Sequence, residues 1–237
     1  LKKFIPVVLF IIFILCTHNI EPPMLSAEEE YKRAYEYFEK RDYNKSIELF
    51  KFFFNRHPGS ELVDDAQFYY AESFFLLQIY DEALTEFQFL TVNFPNSEYA
   101  EKALLRKAQC LENISPLAQR DQTMTKEALE AYEEFIVRYP YSRYLEEAEA
   151  GKARVLEKLN QKILETAEIY LKMGRDKSAK IYLNSVIKRS EKWKDKAYLL
   201  LGDISIREGD DSLALYYYSK VGGEYEGEAN ERLNNIQ

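Results

Sequence analysis

Residues 34–58 read AYEYFEKRDYNKSIELFKFFFNRHP, and residues 71–95 read AESFFLLQIYDEALTEFQFLTVNFP. The letters differ but the pattern is one. Ala34 is answered twelve positions on by Ser46, then by Phe50, Phe53 and Pro58; Ala71 is answered by Ala83, Phe87, Leu90 and Pro95. The second copy starts 37 residues after the first. Small residues at that spacing let two antiparallel helices approach closely, and an aromatic four positions later fills the next layer of the same face. The proline has no N–H and restricts the residue before it, so it ends the second helix.

This pattern resembles the tetratricopeptide repeat, a helical hairpin that returns at about this period. One hairpin cannot bury its own apolar face, so copies stack. The expected fold is all-α, a tetratricopeptide-repeat superhelix of about five hairpins after an N-terminal signal and a short tether.

Composition agrees. The 237 residues are 46% hydrophobic and 30% charged, with only 8 Gly and 7 Pro, too few turn formers for a many-stranded β fold. A net charge of −8 argues against nucleic acid as the partner, since neutralising phosphates needs a basic surface. Nineteen Tyr and 15 Phe leave two uses open: filling the layers between helices, or lining a peptide groove.

The chain begins with Lys2–Lys3, an apolar run from Phe4 to Leu15, and Cys16. A basic start and a short apolar stretch read as an export signal over residues 1–15, too short to span a bilayer comfortably. Cys16 stands where bacterial lipoproteins carry their acylated cysteine, with Leu15 where that motif has a small residue. An uncleaved anchor or an ordinary signal cut nearby is the other reading. Residues 16–26, with Pro22–Pro23, form the tether. Cys110 falls on the apolar side of a helix and is expected to behave as a small hydrophobe.

Along the array, a first helix is expected to begin near Ser26 with Glu28, Glu29 and Glu30 in its first turn. Repeat three opens on schedule at Ala108, but its second small residue comes at Ala128, eight positions late. The inserted stretch, within 115–125, is expected to be an exposed, mobile loop. From Ser142 to Met173 the helical period hardly breaks: either one long helix or two meeting near Asn160. Ala179 and Leu183 mark the fourth repeat, Gly202, Ala214 and Tyr218 the fifth, and a polar cap runs from Glu226 to Ile236. Repeats one to three span 27–140; repeats four and five with the cap span 141–237.

Chemistry is sparse. His18 lies in the tether and His57 at a helix end; neither belongs to a ligand cluster or triad. No phosphate loop, nucleophile elbow or Cys-x-x-Cys occurs. The chain is expected to be no enzyme, with no metal and no cofactor.

Signal, cysteine, tether and five repeats together resemble the BamD family of outer-membrane protein assembly lipoproteins. The likeness is strongest over Glu127 to Leu183, through Ala128, Tyr132, Phe135, Ile136, Arg138, Tyr139–Pro140, Ser142 and Tyr144, the long helix after them, and Ala167, Tyr170 and Gly174. The resemblance implies a lipid-anchored scaffold at the periplasmic face of the outer membrane. Its implied partners are a BamA-like β-barrel insertase, met by repeats four and five through Arg175 and Tyr182, and unfolded outer-membrane proteins, met by repeats one to three. Tyr182 stands where many relatives carry arginine. In tetratricopeptide arrays the first helix of each hairpin faces the groove, which on this chain implies Tyr31, Tyr35, Phe68, Glu72, Phe75, Leu105 and Gln109. Their rings could equally pack between repeats. The rival readings are a periplasmic scaffold of the cell-division type and a helical accessory domain of an envelope enzyme.

Overall fold

The computed structural model describes residues 25–115 and 121–236. Among these, eleven α-helices and one short 3-10 turn follow one another with no strand. Five antiparallel hairpins account for ten of them: α1(Ala27–Glu39) with α2(Tyr43–Arg56), α3(Val63–Leu76) with α4(Tyr80–Asn93), and α5(Ala100–Ile114) with α6(Thr123–Arg138). Then come α7(Leu145–Lys172) with α8(Asp176–Arg189), and α9(Lys194–Glu208) with α10(Asp211–Tyr218). The last helix, α11(Glu226–Asn234), closes the end. Each helix packs on the next in sequence, and α1 also touches α3 and α5 touches α7. The chain is a tetratricopeptide-type array.

The repeat residues occupy the closest approaches. Ala34, Ser46, Ala71, Ala83, Ala108, Ala128, Ala179 and Ala214 are fully buried, as are Phe50, Phe87, Tyr132 and Leu183 four positions after the second small residue. At Ser46 the hydroxyl donates to the Ala34 carbonyl at 3.1 Å, so a polar side chain sits in the crossing without an unmet hydrogen bond.

Helix starts repeat as well. Ser26 caps α1 in a capping box, accepting from the Glu29 N–H while the Glu29 carboxylate accepts from its own. At the junctions between repeats, Ser60, Ser97 and Ser142 accept from the backbone N–H two residues on, at 3.2, 3.2 and 2.8 Å. Inside the hairpins the chain turns through a left-handed residue: Arg41 and Gln78, both at φ 61°, then Gly174 and Gly209.

Two expectations resolve. The stretch after Pro140 is one helix of 28 residues, with Asn160 buried inside it and its amide donating to the Arg189 carbonyl. The inserted stretch is not all loop: α6 starts at Thr123, and Thr125 is fully buried. Asp121 explains the early start, accepting from both the N–H and the hydroxyl of Thr123. The rest of that expectation, at 116–120, lies outside the described residues, as do Cys16, the signal and most of the tether.

Cys110 is core, 0% exposed, and burial pushes its thiol up to about 12. In native protein at pH 8 it should therefore resist a thiol reagent such as DTNB, and react fully once urea unfolds the array. Rapid labelling of folded protein would contradict this packing.

Candidate peptide-binding site

The first helices of the hairpins and the junctions between repeats converge on a recess of about 560 Å³. Phe38 reaches it from α1, Phe68 and Tyr69 from α3, and Glu98, Tyr99, Glu101 and Lys102 from the second junction and the start of α5. Tyr141 to Tyr144 supply the far wall from the third junction. The aromatics are locked together. Tyr99 stacks on Phe68 at 4.5 Å, Tyr69 meets Tyr35 edge-on at 4.7 Å and Phe38 at 5.0 Å, and the Tyr69 and Tyr99 hydroxyls lie 3.3 Å apart. Burial raises the Tyr69 phenol well above its ordinary value, and pushes Tyr35 up to about 12. These hydroxyls stay protonated at physiological pH, so the aromatic part of the wall is uncharged and able to donate. Tyr141 differs from the rest: it is 99% exposed at the rim.

The residues expected to form a groove divide in four. Tyr35 and Tyr31 are half-buried and stacked on each other, with Tyr31 edge-on to Phe53; they support the recess from behind. Phe68 lines the recess as a covered floor, 1% exposed beneath Tyr99. Leu105 is a correction: it is 2% exposed in the core layer with Leu104, Ala108 and Tyr132, because its side of α5 turns toward α6 and α7.

Glu72, Phe75 and Gln109 form a different constellation, centred on a residue that the period did not single out. Arg106 grips Glu72 with two hydrogen bonds of 2.8 and 2.6 Å, lies 4.3 Å over the Phe75 ring, and donates to Gln109 at 2.7 Å. Gln109 in turn donates to Glu147 on α7 at 2.6 Å. One polar chain thus ties α3, α5 and α7 together, with Lys102 3.8 Å from the Glu72 carboxylate. Glu72 is a structural carboxylate, not a groove contact.

Farther along, Tyr182 on α8 stacks on Tyr170 of α7 at 5.3 Å, with exposed Ile169, Met173 and Ile181 on the same hairpin and exposed Arg175 at the turn. His57, at the end of α2, brings Nε2 to 3.4 Å from the buried Glu30 carboxylate, which also accepts from Arg56 at 2.6 Å. Among the described residues no cluster of three metal-ligating side chains occurs, and no helix is long and apolar enough to cross a membrane.

The sequence family described as YfiO, outer membrane lipoprotein, matches residues 23–199. The chain belongs to that family. The match covers the recess, the Arg106 chain and the α7–α8 hairpin, and stops within α9. No curated protein matches the chain. Among solved structures, the TPR2AB domain of yeast Sti1 in its pHSP90 complex is 12% identical, covering 82% of this chain and 75% of that one, with a TM-score of 0.49. The P58(IPK) TPR domain is 15% identical over 89% of this chain and 54% of its own, at a TM-score of 0.47. A thermophilic TPR protein of Thermus thermophilus is 14% identical over 89% of this chain and 98% of its own, at a TM-score of 0.39. In this YfiO-family chain the acyl acceptor implied by the resemblance, Cys16, precedes the matched segment.

Proposed function

We propose that this YfiO-family lipoprotein is a non-catalytic scaffold of outer-membrane β-barrel assembly, held at the periplasmic face by a lipid on Cys16. Its first three repeats receive extended, aromatic-rich segments of unfolded outer-membrane proteins. Its fourth and fifth repeats hold a BamA-like β-barrel insertase.

The observation that supports the receiving half is the recess. Neutral tyrosines, already ordered by stacking on one another and on the covered Phe68, offer apolar area with little side-chain entropy left to lose on binding. An extended peptide placing alternate aromatic side chains against such a wall gains burial while its backbone meets hydroxyl donors. Tyr99→Ala is expected to weaken binding of an aromatic outer-membrane-protein peptide about tenfold, in fluorescence anisotropy on protein that keeps its helical circular dichroism. Phe89→Ala, on the exposed side of α4, is expected to change nothing. Equal losses from both, or from neither, would remove the recess from the account.

For the insertase, the α7–α8 hairpin is the proposed contact. Ile181 is 72% exposed beside Tyr182, and a carboxylate there leaves the fold alone while placing an unpaired charge in any apolar contact. Ile181→Asp should therefore lose a co-purifying barrel protein without lowering the unfolding midpoint. Undiminished co-purification would move the contact elsewhere.

A further inference from the structure

Another recess, of about 630 Å³, opens between repeats three and four, and three helices wall it. Lys126 reaches it from the first turn of α6, Lys162 from the middle of α7 and Arg189 from the last turn of α8. Leu159 and Ile163, one turn apart on α7, add two half-buried apolar side chains to the lining. Three cations thus share one concave site with a single carboxylate, Asp121, in a chain whose net charge is −8. Like charges held together repel, and a bound anion relieves that repulsion.

The fold itself makes little use of these charges. Lys126 and Arg189 are exposed and form no ion pair among the described residues. In this they differ from Lys107, Lys152 and Lys196, which lie 3.2, 2.9 and 2.6 Å from carboxylates. Asp121 is engaged at the start of α6, where it accepts from the N–H and the hydroxyl of Thr123 at 2.7 and 2.6 Å. Those bonds hold its carboxyl below the usual carboxylate range, so it is ionised and leaves the recess a local charge of +2.

We infer that this recess is a binding site for a phosphate group carrying close to two negative charges. Such a group matches the local charge, and its tetrahedral oxygens accept from three directions at once. A carboxylate offers two oxygens in one plane and half the charge. Arg189 can take two phosphate oxygens side by side, with the lysines as point charges on the others. Free phosphate and the phosphomonoester headgroup of a lipid share this chemistry, and the test separates them. A phosphate held there ties α6, α7 and α8 together, across the boundary between repeats three and four.

The full chain in mild detergent is titrated with inorganic phosphate and with acetate at constant ionic strength, by isothermal calorimetry. Phosphate is expected to bind saturably, about tenfold more tightly than acetate, and to raise the unfolding midpoint. Lys126→Gln and Arg189→Gln should each weaken phosphate about tenfold, with helical circular dichroism unchanged. Asp121→Asn keeps an acceptor for Thr123 but removes the opposing charge, and should tighten binding. Lys51→Gln, an exposed cation on α2, should change nothing. Nanodiscs of phosphatidylcholine, with and without phosphatidic acid, distinguish the sources. Extra retention by phosphatidic acid that inorganic phosphate competes away assigns the group to a lipid; no extra retention assigns it to soluble phosphate; either supports the site. Acetate binding as tightly as phosphate, equal losses from Lys51→Gln and Arg189→Gln, or no saturable binding overturns the inference. None of these outcomes touches the aromatic recess of the first three repeats.

Discussion

Arg106→Met is expected to cost the fold about 3 kcal/mol, read as a lower urea midpoint with unchanged slope. The Glu72 side chain is 5% exposed, and its two strong hydrogen bonds come from Arg106. Removing the guanidinium leaves a carboxylate among helices with only Lys102, 3.8 Å away, to offset its desolvation. Gln109 also loses its donor, which loosens the link to Glu147 and so the seating of α7 on α5. The origin of the loss is checked by a second change. Glu72→Gln in the Arg106→Met background removes the stranded charge and should recover at least ~1 kcal/mol. If the two substitutions simply add, the buried charge is not the cause.

Gly151→Ala should be nearly as damaging, at about 3 kcal/mol, which is large for one added methyl group. A Cβ on Gly151 would stand 2.2 Å from Cζ of Tyr132. That ring has nowhere to go: Tyr132 is fully buried, and its hydroxyl donates to Glu112, which is held in turn by two bonds from Arg154. The array uses the same device again at Gly202, where a Cβ would meet Tyr218 at 2.3 Å and the Tyr218 hydroxyl donates to Asp203. Gly202→Ala should match Gly151→Ala in thermal or urea unfolding. Gly227 in α11 has nothing within 4 Å of its added Cβ, so Gly227→Ala should stabilise by ~0.5–1 kcal/mol through helix propensity alone. The opposite signs separate close approach from propensity; three like signs would contradict the packing.

How far the sequence reaches follows from what periodicity measures. It finds residues whose neighbours are set by the helix repeat, so every small residue and layer aromatic from Ala34 to Tyr218 lands where expected. Turns are harder, because Arg41 and Gln78 take the left-handed conformation without the glycine that would announce it. At Asn160, inside the continuous α7, the buried amide is satisfied by the Arg189 carbonyl of α8, a tertiary bond that no helical period records. Among the groove positions implied by the resemblance, Phe68 lines the recess while Leu105 lies in the core, since facing inward does not say which neighbour covers a side chain. Tyr99 and Tyr141 escaped because they belong to junctions, where no helical period applies. The signal that does find them is comparison of the junctions with one another. Arg106 is marked by no repeat position; only the tertiary fold pairs it with Glu72.

The measurement that bears most directly on the central claim is a mild-detergent pull-down of the tagged chain from envelopes, with mass spectrometry of what accompanies it. A BamA-like barrel insertase in near-equal amount, lost with Ile181→Asp, is the predicted result. Division or peptidoglycan proteins in its place, with no barrel insertase, would contradict the assembly role and leave the array as a scaffold of another envelope machine.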